Sequence, residues 1–342
     1  MNHLKRGLYM NSKMLAIDAA NFLDVSVQYV HKLLKAKKLS FEKKQNRVYF
    51  QYETSQQVFN LKVVPKIISI QIVKGGTGKT SLAHSIAIRA NLYGIKVLCI
   101  DLDQQGNLTQ AFRVNPEKIP IMVDIINNNM PIETGIVTIT DGLELIPSRI
   151  ENAVLDSVLM LKRLPLDRVY KEKVDHLKLA RNYDLILIDC PPALGQSVAA
   201  ASLSSDYIIS PVTPEKFSLS GLKVTSQEIE SIEQTYKKDI PLKIILNKFD
   251  SRTILSHETL SSLIKHDLFG PKLFKTYIRT SQEFPNAIAQ GTSIFDQTKN
   301  NSAKEDIDLL TREILGIEPI SNDQNQKITL GSLEQNETRL LI

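Results

Sequence analysis

Two cysteines among 342 residues leave little scope for a disulfide framework or a thiolate metal centre. Cys99 and Cys190 both sit in apolar, strand-like runs, which suits small buried residues. No apolar run approaches the eighteen or so residues of a membrane span, and the first residues lack a signal-peptide core, so a cytoplasmic location is expected. What is present is ordinary for a globular protein: 42% apolar and 23% charged residues, enough for one large domain with a small one attached. The net charge of +5 is unevenly spread. Residues 1–66 hold 12 Lys/Arg against 4 Asp/Glu, a balance of +8, so the rest of the chain carries −3. A basic segment on a near-neutral body suggests contact with nucleic acid, although a solvated lysine face would give the same count.

The most informative run is Val73-Lys74-Gly75-Gly76-Thr77-Gly78-Lys79-Thr80-Ser81. It follows a strand-like stretch, Ile67 to Val73, and precedes a helix-like one, Leu82 to Leu92. Strand, glycine turn, Lys-Thr and helix make a phosphate cradle. Small residues let backbone N–H groups approach phosphate oxygens, Lys79 reaches the β/γ-phosphates, and the Thr80 hydroxyl ligates Mg²⁺. A second lysine, Lys74, is not required by the general pattern. Its repulsion of Lys79 is costly unless it has an anion of its own.

Gly94 ends that helix, and Lys96 to Asp101 reads as a buried parallel strand ending in acid. Asp101 and Asp103 follow at i, i+2, where one supports the metal or the phosphate loop and the other orients an attacking water. Asp184 to Asp189 is a second apolar run ending in acid, followed by Cys190-Pro191-Pro192. An acid there, beside a phosphate loop, is placed to hold the Mg²⁺ shell. Tyr207 to Pro211 and Leu242 to Leu246 complete an open parallel sheet. Past their carboxyl ends, Asn247 is placed to bond a base edge, and Pro211 to Glu215, including Pro214, to wall the base pocket. The expected fold is α/β, a doubly wound and mostly parallel sheet of the P-loop NTPase type.

The set of motifs resembles the ParA/MinD ATPases over about two-thirds of the chain. Lys74 to Thr80 looks like their deviant Walker A motif, Asp101-Leu102-Asp103-Gln104-Gln105-Gly106-Asn107 like their second motif, and Asp184 to Pro192 like their Walker B region. The resemblance implies catalytic roles for Lys74, Lys79 and Asp103, with Asp103 positioning the hydrolytic water and Lys74 reaching across a dimer to the partner's ATP. It implies nucleotide contacts from Lys74 to Ser81, and a metal region of Thr80, Asp101 and Asp189. It also implies Arg252 and Arg279 on a basic surface for non-specific, nucleoid DNA. The cofactors implied are ATP and Mg²⁺. The partners implied are a second copy of the chain on ATP binding, DNA, and a ParB-like centromere-binding protein, with no membrane. The iron proteins of nitrogenase share the loop, but neither cysteine suits a cluster at a dimer interface.

The N-terminal pattern stands apart. Ile17 to Leu23 and Val27 to Ala36 read as two short helices about an Asp24-Val25-Ser26 turn, with Leu39 to Phe50 as a hairpin wing. About forty residues here resemble the winged helix-turn-helix of the MerR/excisionase type. That resemblance places Gln28, Tyr29 and Lys32 at base edges and Lys43, Lys44 and Arg47 at phosphates. Residues 1–52 are thus expected to be a DNA-binding segment, 53–66 a linker or connecting helix, 67–318 the ATPase domain, and 319–342 a polar tail. A helix-turn-helix before such a core resembles the larger plasmid type of ParA protein, which implies repression of its own operon. A membrane-surface ATPase like MinD and an ATP-responsive transcription factor remain as alternatives, although the polar run Asn322 to Gln326 does not suit a membrane helix.

Overall fold

The computed structural model describes residues 12–215, 218–297 and 301–318, so the expected tail at 319–342 lies outside the described residues. Five apolar runs build the greater part of a seven-stranded sheet. They are β4 (Lys66–Ile70), β5 (Val97–Asp101), β8 (Leu185–Asp189), β9 (Tyr207–Val212) and β10 (Leu242–Leu246). β6 (Val137–Thr140) and β7 (Leu143–Ile146) complete it, in the order β10-β9-β4-β8-β5-β7-β6. Every pairing is parallel except β6 with β7.

All five residues of both β5 and β8 are buried, because helices cover both faces of the sheet. Alternate residues along a strand therefore enter different cores. Ile68, Ile70, Leu185 and Leu187 pack with α4 (Lys79–Leu92) and the helix Ser302–Leu315. Ile67, Ile186 and Ile188 pack with the helices Gln196–Ser204 and Ser218–Tyr236. β4 has β8 on one side and β9 on the other, so the chain leaves it at the point where the winding reverses. Its carboxyl end is where such sheets bind ligands.

Before this sheet stand β1 (Met14–Leu15), α1 (Ala16–Leu23), α2 (Val27–Ala36), β2 (Glu42–Lys44), β3 (Arg47–Phe50) and α3 (Tyr52–Phe59). Asp24, in the left-handed region at φ 51°, ends α1, and the Ser26 side chain caps α2 by accepting from the Tyr29 N–H at 3.1 Å. Val30 and Leu34, one turn apart, bury the inner face of α2. Gln45 and Asn46 both take positive φ, which matches the twist of a two-residue hairpin between β2 and β3. β1 pairs with β3, giving a small three-stranded sheet.

The segment read as linker or connecting helix, 53–66, is helical up to Phe59 and docks on the large sheet's helices. Phe22 and Phe59 stack edge to face at 5.5 Å, and both touch Tyr93, at 4.8 and 5.4 Å. At Gly94 (φ +81°) an added Cβ would lie 2.6 Å from the Gln56 backbone nitrogen, and at Gly142 (φ +74°) it would lie 2.3 Å from the Tyr52 ring. Two glycine notches thus seat α3 directly. Deeper in, Arg89 Nε donates to Asp308 at 2.6 Å and Tyr93 donates its hydroxyl proton to the same oxygen at 2.6 Å. The N-terminal elements and the helix after the phosphate loop therefore share one hydrophobic core.

Candidate functional site

The loop between β4 and α4 holds its shape through two positive-φ glycines, Gly76 at +75° and Gly78 at +89°. A Cβ at Gly78 would meet Asn247 Nδ2 at 2.4 Å, whereas Gly75 and Gly76 face open space. Asn247 Nδ2 donates to the Thr77 carbonyl at 2.7 Å, and Lys248 Nζ donates to the Gly76 carbonyl at 2.8 Å. With those carbonyls clamped, the N–H groups of the loop and of the α4 N-terminus are left for an anion. Lys79 begins α4 and is only 7% exposed. Its Nζ reaches the carbonyls of Lys74 and Ile72 at 3.3 and 3.5 Å, long bonds that a phosphate oxygen readily replaces. Burial pushes its pKa below the ordinary lysine value, with Asp189 opposing.

Across the loop, Thr80 Oγ1 donates to Asp189 Oδ2 at 2.7 Å. The other oxygen, Asp189 Oδ1, is buried with no hydrogen-bond partner. Burial first, and the neighbouring Asp101 second, hold the Asp189 pKa well above the usual aspartate value. Asp101 itself is pushed up to about 7, mainly by burial. Its oxygens accept from the N–H and hydroxyl of Thr109, at 2.9 and 2.7 Å, and from the Asp103 N–H at 3.1 Å. Asp101 thus anchors the turn that presents Asp103. Asp103 lines the cleft, and its Oδ1 accepts from the Gln105 N–H at 3.0 Å. Gly106 (φ +61°) then opens the short helix α5 (Asn107–Ala111).

These groups converge on a cleft of about 1000 Å³, a volume within the range of ligand sites. Gly75, Lys79 to Ser81, Asp103 and Asn247 line it, Asp101 and Asp189 are buried behind these, and Lys74, Thr77 and Pro214 are not among its lining residues. Lys74 turns instead to Glu215, 2.5 Å away. The opposite wall comes from Thr280, Ser281 and the helix Glu283–Gln290, through Phe284, Pro285 and Ile288. Sequence reasoning missed that wall, because a short apolar helix face after a loop carries no motif. It also missed the Lys248 clamp, which only the fold brings to Gly76 from the end of β10.

The basic residues divide into two groups. On α2, Gln28 and Lys32 are exposed one turn apart, with Tyr29 half-buried beside them, and Lys43, Lys44 and Arg47 are exposed on the hairpin. Arg252 is exposed and forms a bidentate pair with Asp250. Arg279 lies on the cleft wall, where its guanidinium meets Asp306 at 2.6 Å and Glu305 at 3.1 Å. Its charge is paired with two carboxylates of its own chain.

Comparison with known proteins agrees with this geometry. The family model described as an AAA domain matches residues 65–242, just over half of the chain. The virulence plasmid ParA family protein pGP5-D of Chlamydia psittaci is 31% identical over 73% of this chain and 94% of its own length. The chain belongs to the ParA family. The sporulation initiation inhibitor protein Soj of Bacillus subtilis is 28% identical over 67% of this chain and 90% of its own. A putative plasmid partition protein of Borrelia burgdorferi, solved bound to AMPPNP, superposes with a TM-score of 0.59. At 23% identity, it covers 74% of this chain and 99% of its own. This ParA-family chain thus shares its fold with that structure. The family match begins one residue before β4, after the N-terminal elements.

Proposed function

We propose that this ParA-family chain is a Mg²⁺-dependent ATPase of plasmid or chromosome partition. In this reading it dimerises on ATP, binds DNA and hydrolyses ATP when a ParB-like centromere-binding protein stimulates it. The observation that carries the reading is the Thr80–Asp189 pair with its unpartnered buried oxygen, set between the phosphate loop and Asp103. A hydroxyl donor and a spare carboxylate oxygen suit a hydrated divalent cation. Among the described residues no cluster of three or more His, Cys, Asp or Glu is arranged to hold a metal ion. Mg²⁺ keeps several waters and takes ligands from phosphate, so few protein oxygens are needed to hold it. When bound, Mg²⁺ neutralises the phosphate charge that develops during transfer.

The chain's own residues supply the rest. Loop N–H groups and Lys79 bind the phosphates, and the clamps from Asn247 and Lys248 keep the loop in register. In this reading Asp103, whose N–H is held by Asp101, orients water towards the phosphate. Phe284, Pro285 and Ile288 give an apolar wall for the base. By family resemblance, Lys74 serves the nucleotide of the second copy. The exposed row of α2 and the hairpin residues Lys43, Lys44 and Arg47 are offered to DNA, the former to bases and the latter to phosphates. Arg252 adds to a non-specific surface.

The test is ATP hydrolysis measured with and without Mg²⁺, duplex DNA and the product of the neighbouring gene. Turnover that requires Mg²⁺ and rises severalfold with DNA and that product together supports the reading. No stimulation by either macromolecule overturns the partition role while leaving the ATPase in place.

A further inference from the structure

Two lysines in one phosphate loop pose an electrostatic problem that the fold answers with a third residue. Glu215, in the turn after β9, brings Oε2 to 2.5 Å from Lys74 Nζ. Its other oxygen accepts from the Thr213 hydroxyl at 3.1 Å, and Thr213 is itself buried at the strand end. The Lys74 stem packs beside Gly221, where even an added Cβ would make only ordinary contact, 3.4 Å from Lys74 Cβ. Glu215 therefore holds the ammonium, while the Lys74 carbonyl, which accepts from Lys79 Nζ, ties the backbone behind it. The hydrogen bond from Lys74 holds the Glu215 carboxyl below its ordinary value, so Glu215 stays ionised.

We propose that Glu215 is a positioning residue that directs Lys74 outward from its own cleft, reserving it for the nucleotide of a second copy. The proposal rests on the reading that Lys74 acts across a dimer. An ammonium tethered to the phosphate loop is drawn by Coulomb attraction to the nearest phosphates, which are those of its own nucleotide. A fixed carboxylate on the outer side competes with that pull and offsets the repulsion from Lys79. An ammonium has three donors, so Lys74 can keep Glu215 and still give a proton to a phosphate oxygen that approaches from outside. Loss of the carboxylate leaves Lys74 free to fold onto its own ligand. Nucleotide binding by one copy is then unchanged or tighter, while dimerisation and turnover fall.

The experiment compares the parent, Glu215→Gln, Lys74→Ala and the double variant. It measures ATP affinity at protein concentrations too low for dimers, ATP-driven dimerisation by light scattering, and kcat. Glu215 is exposed, so its replacement leaves folding intact, which the thermal midpoint checks. The expected result for Glu215→Gln is unchanged or tighter ATP binding with dimerisation and kcat lower by about two- to fivefold, the scale of a partly exposed ion pair. In the Lys74→Ala background the same substitution has no effect, since a positioning residue acts only through the group it positions. Glu215→Asp, which keeps the charge on a shorter arm, restores part of the loss. A Glu215→Gln protein that matches the parent, while Lys74→Ala fails to dimerise, overturns the proposal and leaves the trans reading of Lys74 standing. An equal loss from Glu215→Gln with and without Lys74 also overturns it. A Lys74→Ala protein that dimerises and turns over like the parent removes the trans reading, and the proposal with it.

Discussion

Arg89 and Asp308 form a buried ion pair, 2.6 Å from Nε to Oδ1, one turn before the end of the helix that starts at the phosphate loop. Tyr93 and Arg312 share the same carboxylate, and the Arg89 guanidinium lies over the Phe295 ring at 5.1 Å. Removing one member strands a buried charge. Asp308→Ala is expected to cost about 3–5 kcal/mol of stability, measured by urea unfolding, with N-terminal and ATPase elements destabilised together. Burial raises the Asp308 pKa, but Arg89 and Arg312 outweigh it, so the net direction is down. Its contribution is therefore present above the ordinary aspartate range and lost as pH falls below about 4. Unfolding midpoints of Asp308→Asn should change less than those of the parent over that acid range.

His84 gives a pH dependence in a different window. It is buried in α4 against Phe112, with ring centroids 4.8 Å apart, and its Nε2 has no hydrogen-bond partner. Burial pushes its pKa down to about 4. Between that value and the unfolded value near 6.5, the unfolded chain binds the extra proton, so stability rises with pH across this window and is level above it. The total is on the order of 3 kcal/mol. His84→Leu should flatten the curve of unfolding free energy between pH 4 and 6.5.

The cleft itself supplies a third outcome. Thr80→Val keeps the shape of the side chain and removes the hydroxyl that reaches Asp189. Turnover should fall at least about tenfold, with nucleotide affinity changed far less in the absence of Mg²⁺ than in its presence. Asp103→Ala should lower kcat by about a hundredfold while ATP binding is kept, because the carboxylate acts on water and not on the nucleotide. Equilibrium binding of a fluorescent ATP analogue beside steady-state turnover separates the two.

Gly78 allows no substitute. Gly78→Ala forces a side chain into the left-handed region and onto Asn247 Nδ2, so the clamp on Thr77 is lost. Nucleotide binding should fall below detection in isothermal titration while the circular dichroism spectrum is retained.

For DNA, the two sets of basic residues should behave differently. Lys43→Ala with Arg47→Ala should weaken binding to any duplex and reduce the slope of log K against log salt by about 2. Arg279→Ala should leave that slope unchanged and lower the thermal midpoint, since Asp306 and Glu305 lose their cation. Fluorescence anisotropy over a salt series reads both.

Much of this was legible because the chemistry is local in sequence. The glycine loop, the Asp101–Asp103 spacing and the acid-ended run at Asp189 each occupy a few consecutive residues, and five of the strands are apolar runs broken by turns. What could not be read was brought together by tertiary contact. Glu215 lies far from Lys74 in the chain, and Lys248 far from Gly76, and neither pair has a periodicity to betray it. The antiparallel β6–β7 hairpin was missed because its strands are only four residues long and not uniformly apolar. The helical start of the expected linker was ambiguous because Tyr52 to Gln57 is polar on most faces, and only the two glycine notches opposite it reveal its seat.

Those notches bear on anyone who would cut this protein in two. Gly94 and Gly142 were shaped to receive Gln56 and Tyr52, so the surface beneath α3 is not a finished exterior. A truncation that starts at β4, where the family match begins, would leave Tyr93 without Phe22 and Phe59 and open two sockets to water. Such a fragment would carry every residue of the phosphate site and still present a raw interior face. Its insolubility would say nothing about the ATPase.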